Sequence, residues 1–108
     1  MLRILTLCHG NICRSPLAEV LIEAAVAADP LLAGRVVVSS AGTSDEHVGE
    51  GMHTNSAAIL SARGLRSTHE ARLFTPTMAA TLDLVLAADQ ANLRNGRAII
   101  RMADTQPE

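Results

Sequence analysis

The sequence contains no lysine, tryptophan or tyrosine, and Phe74 is its single aromatic residue. Its 9 basic residues are therefore all arginines, and 11 acidic residues bring the formal net charge to −2 at pH 7. A nucleic-acid binder usually carries a basic stripe, so this balance predicts no nucleic-acid partner. Every apolar run stays well below the roughly 18 residues of a membrane span, so we expect no membrane partner.

Only two cysteines occur, Cys8 and Cys13, which is too few for a disulfide scaffold. Residues 1–7 lack the charged head, long apolar stretch and cleavage site of a signal peptide. We therefore expect a soluble cytoplasmic protein with a single domain over residues 1–108. Neither a metal nor a cofactor is predicted, because metal-ligand spacing is missing around the histidines His9, His47 and His53.

Short apolar runs predict four buried strands, at residues 2–7, 35–40, 82–87 and 98–102. Ser15 is the predicted N-cap of the first helix, which should end at Asp29-Pro30. Later helices are expected at residues 54–63, from Thr75-Pro76 onwards, and at 89–94 with an end near Gly96. Several arginines are interpreted as residues of solvent-exposed faces, namely Arg63, Arg66, Arg94, Arg97 and Arg101.

Strands that alternate with helices imply parallel β-α-β units. We therefore predict a three-layer α/β fold, in which a doubly wound, parallel four-stranded sheet carries helices on both faces. Ligands of such sheets bind beyond the carboxyl ends of the strands. The segment that starts at Cys8 lies at one of these ends.

Residues 8–15 read Cys-His-Gly-Asn-Ile-Cys-Arg-Ser and join the first strand to the first helix. Their backbone N–H groups can converge on one point, where the helix N-terminus adds positive partial charge. This pattern predicts an oxyanion cradle formed by His9, Gly10, Asn11, Ile12 and Cys13. Within it Gly10 permits unusual backbone angles, and Asn11 is of a type that tolerates left-handed ones.

Cys8 and Arg14 carry the reactive chemistry of this loop. The helix N-terminus and the nearby guanidinium favour the thiolate of Cys8, which is the nucleophilic form. The planar guanidinium of Arg14 matches two phosphate oxygens at once. Cys13 leaves two interpretations open, since it suits either packing or the role of a resolving thiol that captures oxidised Cys8 as a disulfide.

At these positions the sequence resembles the low-molecular-weight protein tyrosine phosphatases, whose signature Cys-x5-Arg-Ser-Pro matches Cys8 through Pro16. Further similar segments follow in order along the chain: Ser40-Ala41-Gly42-Thr43, His47-Val48-Gly49, Ser67-x-His69-x-Ala71-Arg72 and Asp89-x-x-Asn92-Leu93. The resemblance implies the phosphotyrosine protein phosphatase I-like fold, with flavodoxin-like winding of the sheet.

The resemblance also implies dephosphorylation through a phosphocysteine on Cys8, with Arg14 bound to the phosphoryl oxygens. Ser15 would donate to the Cys8 sulfur and ease its departure in the second step. The loop would be held in its strained shape by a hydrogen-bond network of Asn11, Ser40 and His69. The implied partner is a phosphorylated protein or a small aryl phosphate, and the product is inorganic phosphate.

Two features depart from the family's pattern. Family members continue beyond this length and carry an Asp-Pro-aromatic motif whose aspartate is the general acid. That motif is absent here, since Asp29-Pro30 ends a helix and Asp104 is followed by threonine. We therefore expect a domain that lacks the family's C-terminal portion. Glu46 stands where the family often has an aromatic residue, so a phosphotyrosine ring would lack its usual stacking surface.

Two other functions stay open from the sequence. A thiol-dependent arsenate reductase of the same fold would relay oxidation through downstream cysteines, and none follows Cys13. A non-catalytic module that binds an oxyanion or a protein would keep the loop without needing the acid. These alternatives differ from a phosphatase in whether a phosphate ester is turned over.

Overall fold

The computed structural model describes the backbone of residues 1–105 and the side chains of residues 1–102. Within that part of the chain three parallel strands form one sheet: β1 (Leu2–Cys8), β2 (Val36–Gly42) and β3 (Leu84–Ala87). The strand order is β2-β1-β3, which places β1 in the centre. Cys8 is paired with Gly42, so β1 and β2 end at the same edge of the sheet.

Within residues 1–105 four helices surround this sheet: α1 (Arg14–Ala28), α2 (Thr54–Ala62), α3 (Pro76–Ala79) and α4 (Gln90–Thr105). α1 covers one face, where the Thr6 hydroxyl donates to the carbonyl of Ser15 at 2.8 Å. α4 covers the opposite face, where Gly96 lies against Leu7. α2 packs on α1 and α3 packs on α4. In residues 1–105 none of these helices has both the length and the apolarity to cross a bilayer.

The core lies between the sheet and the layer of α3 and α4. It consists of buried Leu5, Leu7, Ala41 and Phe74, with Met78, Ala79, Leu82, Val85, Ile99 and Ile100 packed around them. Phe74 is anchored because its N–H donates to the carbonyl of Gly42 at 2.7 Å. Burying a side chain of this size contributes about 1.5–3 kcal/mol, so the single aromatic residue fastens the connection that follows β2.

Local cap and stop signals are confirmed at two helices. Thr75 caps α3, because its Oγ1 accepts from the N–H of Met78 at 3.2 Å and Pro76 occupies the first turn. Gly64 follows α2 with φ of 71°, a left-handed conformation that suits glycine after a helix end. These signals act within a few residues, which is why the sequence alone carries them.

The predicted fourth strand at residues 98–102 is wrong, and so is the end of the preceding helix near Gly96. Both segments belong to α4, which runs unbroken to Thr105, so the sheet has three strands within residues 1–105. Gly96 is a packing residue, since a Cβ there would lie 2.7 Å from Leu7 Cδ2. The parallel sheet flanked by helices is confirmed.

Ser15 does not cap the first helix as predicted. α1 begins at Arg14, with Cys13 at the N-cap position and no side-chain hydrogen bond to the helix end. Ser15 is buried inside the first turn. Its hydroxyl is therefore available to the loop that precedes the helix.

Candidate active site

The loop between β1 and α1 is shaped by its contact with the end of β2. A Cβ on Gly42 would lie 2.6 Å from the carbonyl oxygen of His9 and 3.0 Å from the amide nitrogen of Asn11. Backbone atoms cannot easily move aside, so only glycine lets the loop turn back across this strand end. The close approach leaves Cys8 only 3% exposed at the base of the loop.

The sulfur of Cys8 is surrounded by polar groups. The amide N–H of Asn11 donates to Sγ at 3.3 Å, and Ser15 Oγ lies 2.9 Å from the same atom. Hydrogen bonds to an anionic group stabilise it, so this arrangement suits a thiolate.

Asn11, which is of a type that tolerates a left-handed conformation, adopts one with φ of 57°, and it is fully buried. Such a conformation is unfavourable for a residue with a side chain and needs support from its surroundings. His69 gives part of it, because its Nε2 lies 2.6 Å from the Asn11 carbonyl oxygen and must carry the hydrogen of that bond. Arg72 gives another part, because its backbone N–H donates to Asn11 Oδ1 at 2.9 Å.

The contact with Arg72 also fixes the direction of the neighbouring hydrogen bonds. Because Oδ1 accepts from that N–H, Asn11 Nδ2 must donate to Ser15 Oγ at 2.8 Å and to Ser40 Oγ at 2.9 Å. The hydroxyl hydrogen of Ser15 is then left for Cys8 Sγ, since the alternative acceptor, the Ala41 carbonyl, is 3.5 Å away. Ser15 therefore donates to the sulfur.

Arg14 is held at the rim of the loop by Asp89. Its Nη1 donates to Asp89 Oδ2 at 2.9 Å, while Asp89 Oδ1 accepts from the N–H and from Nδ2 of Asn92, each at 2.9 Å. The backbone N–H of Asn92, and then Arg14, lower the pKa of the Asp89 carboxyl. The hydrogen bond to Asp89 in turn raises the pKa of Arg14. Asp89 is therefore an ionised anchor for the guanidinium, a role that the sequence did not predict.

Replacing Asp89 by asparagine should lower catalytic efficiency on p-nitrophenyl phosphate about two- to fivefold, the effect of losing one exposed ion pair. The pKa of Asp89 in the folded protein is lowered, so its carboxylate forms the ion pair with Arg14 at any pH above that pKa. The ion pair is lost as the pH falls through the pKa, because the carboxyl group becomes protonated. The ratio of wild-type to variant efficiency should then shrink in acid, which a pH series of kcat/KM measures. Asp29→Asn, at the far end of α1, is the matched control. A ratio of one at every pH would contradict the anchoring role.

The first residues of the predicted cradle face the segment that follows β2. His9 is exposed, and its Nε2 lies 3.5 Å from Oε1 of Glu46. Gly10 does not adopt a positive φ, so its predicted conformational role is wrong. A Cβ there would lie 2.8 Å from Cδ2 of His47, so the imidazole ring would have to shift to admit a larger residue. Glu46, at the family's aromatic position, thus stands beside the loop as a carboxylate.

The last residues of the cradle face the segment that leads into α2. The carbonyl of Ile12 accepts from the N–H of His53 at 2.6 Å. The carbonyl of Cys13 accepts from Ser56 Oγ at 3.1 Å, and its exposed thiol lies 3.5 Å from the same hydroxyl. Both cysteines are free thiols, so the resolving role of Cys13 stays a prediction.

The structure thus brings together Cys8, Asn11, Arg14, Ser15, Ser40 and His69. Among the side chains of residues 1–102, no three His, Cys, Asp or Glu groups are placed to hold a metal ion. The side chain of Asp104 lies outside the described residues. Sequence reasoning missed the contact of Asp89 with Arg14 and the hydrogen bond from Ser40 Oγ to Glu19. Arg66 is exposed, in agreement with the solvated face predicted for it, and its side chain also pairs with Glu19 and Glu23.

Comparison with known proteins assigns these features to a family. Residues 3–106 match the sequence profile described as low molecular weight phosphotyrosine protein phosphatase. A low molecular weight protein-tyrosine-phosphatase of Streptomyces coelicolor is 41% identical over 104 residues, which cover 96% of this chain and 61% of the relative. The low molecular weight phosphotyrosine protein phosphatase of Sus scrofa is 36% identical over 92 residues, which cover 85% and 58%. The chain therefore spans about three fifths of the length of these curated relatives.

Solved structures give the same result. YfkJ from Bacillus subtilis matches with a TM-score of 0.85 at 32% identity, over 98% of this chain and 67% of that one. SP-PTP, a low molecular weight protein tyrosine phosphatase from Streptococcus pyogenes, matches with a TM-score of 0.83 at 28% identity, over 94% and 65%. With a family profile that covers nearly all of its residues and a shared fold, the chain belongs to the low molecular weight phosphotyrosine protein phosphatase family.

Proposed function

We propose that this chain hydrolyses phosphate monoesters, phosphotyrosine in proteins among them, through a phosphocysteine on Cys8. The observation that carries the proposal is the set of donors aimed at one buried sulfur, namely the Asn11 amide and the Ser15 hydroxyl. The relatives named above are named as protein tyrosine phosphatases, which supports the same reaction class here.

In the first step the thiolate of Cys8 attacks phosphorus, so that an S–P bond forms while the ester P–O bond breaks. The loop amides and the N–H groups of Arg14 that Asp89 leaves free stabilise the charge on the equatorial oxygens. The leaving oxygen takes a proton or departs as an anion. Asp89 is unsuited to give that proton, because its lowered pKa keeps it ionised.

In the second step water attacks phosphorus, the S–P bond breaks and inorganic phosphate leaves with the oxygen of that water. Cys8 departs as a thiolate. The hydrogen bonds from the Ser15 hydroxyl and from the Asn11 N–H stabilise it. The Ser15 hydrogen is available for this contact because Asn11 Nδ2 donates to the oxygen of the same hydroxyl. Since the reaction needs a reduced Cys8, we place it in a reducing compartment such as the cytoplasm.

The substrate range should favour good leaving groups. Glu46 beside His9 offers an aromatic ring no stacking surface, so ring binding should be weak. Assistance by a general acid is commonly worth about 10²–10⁴-fold, and poor leaving groups depend on it most. We therefore expect activated aryl phosphates to be the best test substrates for the 108-residue chain.

The direct test measures the rate of p-nitrophenyl phosphate hydrolysis and, by calorimetry on the same samples, the binding of inorganic phosphate. We expect turnover, with phosphate as a competitive inhibitor, because nitrophenolate departs without an acid. Phosphate binding without turnover would favour the non-catalytic module instead. The family assignment weighs against an arsenate reductase.

A further inference from the structure

Outside the loop, one exposed arginine joins three groups from two parts of the fold. Arg66 Nη2 lies 2.7 Å from Oε2 of Glu19 and also binds Oε1 of Glu23, both on α1. Its Nη1 donates to the carbonyl of Thr68 at 2.9 Å. A single guanidinium therefore ties α1 to the segment that follows α2.

The two carboxylates are one helical turn apart on α1, so they would repel each other without a cation between them. Glu19 is the more enclosed of the two, with 13% of its side chain exposed against 39% for Glu23. Arg66 offers the planar fork that serves both carboxylates at once, which a point charge does less well.

From this cluster one path of hydrogen bonds reaches the side chain of Asn11. The second oxygen of Glu19, Oε1, accepts from Ser40 Oγ at 2.5 Å. With its hydrogen committed to Glu19, Ser40 Oγ must accept from Asn11 Nδ2. A continuous path of hydrogen bonds therefore joins the Glu19 carboxylate to the side-chain amide of Asn11. The same path extends from that amide to Ser15, whose hydroxyl hydrogen is directed at Cys8.

A second path reaches the backbone of Asn11. Thr68, whose carbonyl accepts from Arg66, directly precedes His69 in the chain. His69 Nε2 bonds the carbonyl of Asn11, the residue with positive φ. Arg66 therefore supports both the side chain and the carbonyl of Asn11 without touching the loop.

We propose that Arg66 is a positioning residue for the phosphate-binding loop. Its guanidinium fixes Glu19 and Thr68 together, which holds Asn11 in its left-handed conformation and directs the Ser15 hydrogen to Cys8. The consequence for catalysis rests on the proposed phosphatase function, whereas the consequence for Asn11 does not.

The test compares Arg66→Ala with Arg63→Ala, which removes the same charge from an exposed arginine at the end of α2. Arg66→Ala should lower kcat on p-nitrophenyl phosphate about ten- to hundredfold, as misplacement of a reacting group does. Arg66→Lys should recover part of the loss because it keeps the charge. In ¹⁵N–¹H spectra the Asn11 side-chain amide should broaden or shift in Arg66→Ala and stay in place in Arg63→Ala.

The outcomes separate the inference from the proposed function. A purely structural role would lower the thermal midpoint while kcat per folded molecule stayed at the wild-type value, and that result would overturn the inference. An unchanged Asn11 amide in Arg66→Ala would overturn it as well. A wild-type chain that neither binds inorganic phosphate nor turns over the ester would overturn the proposed function, while the Asn11 amide would still decide the role of Arg66.

Discussion

Cys8→Ser should abolish turnover while phosphate binding persists. A serine hydroxyl stays protonated near neutral pH, so it cannot replace the thiolate, and losing a nucleophile commonly costs about 10⁴-fold or more in kcat. The substitution changes one buried atom and leaves the loop amides and Arg14 in place. Steady-state rates on p-nitrophenyl phosphate, with calorimetric titration of phosphate into the same samples, measure both halves of this expectation.

The exposed thiol of the same loop supplies the comparison. Cys13→Ser should keep measurable turnover, because the loop uses the carbonyl of Cys13 toward Ser56 and leaves its side chain at the surface. If Cys8→Ser kept appreciable activity while Cys13→Ser lost it, the nucleophile would have to be reassigned to Cys13.

Arg14→Lys should lower kcat/KM about 10²–10³-fold, the usual range for losing a donor to transition-state charge. One N–H of the guanidinium is already given to Asp89, and the others are left for phosphoryl oxygens. An ammonium keeps the charge but cannot hold the carboxylate and two phosphoryl oxygens in one plane. The measurement is kcat/KM for p-nitrophenyl phosphate beside the inhibition constant of phosphate.

Arg35→Lys is the matched control for this substitution. Arg35 is exposed and directly precedes β2, at the end of the sheet opposite Cys8. Its replacement should leave kcat/KM unchanged. Equal efficiency in Arg14→Lys and wild type would remove Arg14 from the site.

The parts of the fold that sequence predicted are those encoded over short distances. The cap at Thr75 and the stop at Gly64 each depend on neighbours within a few positions. For Asn11 only the tolerance of a left-handed conformation is local, since its support comes from His69 and Arg72. The run at residues 98–102 failed because apolar residues suit a strand and a buried helix equally well. In the structure this run lies on α4, where Ile99 and Ile100 pack against the core, and no local pattern contains those contacts.

The residues of the candidate site likewise divide into those that the sequence predicted and those that only the structure revealed. The loop could be read directly because its residues are consecutive, and Ser40 and His69 followed only from the family resemblance. Asp89 lies 75 positions from Arg14, and Arg66 lies 47 from Glu19. Charged residues are common enough that such pairs cannot be selected before the fold is known, so the outer supports of the loop needed the structure.

The alternation of side chains along β1 limits how this gene can vary. Thr6 and Cys8 point toward α1, where they meet Ser15, while Leu5 and Leu7 point into the core around Phe74. Successive strand residues face opposite sides, so the loss or gain of one codon inside this stretch would exchange the two faces. The thiol would then turn toward the core, or leucines would turn toward α1. We therefore expect related sequences to differ in β1 by substitutions alone. In-frame insertions and deletions should be confined to the loops outside this strand.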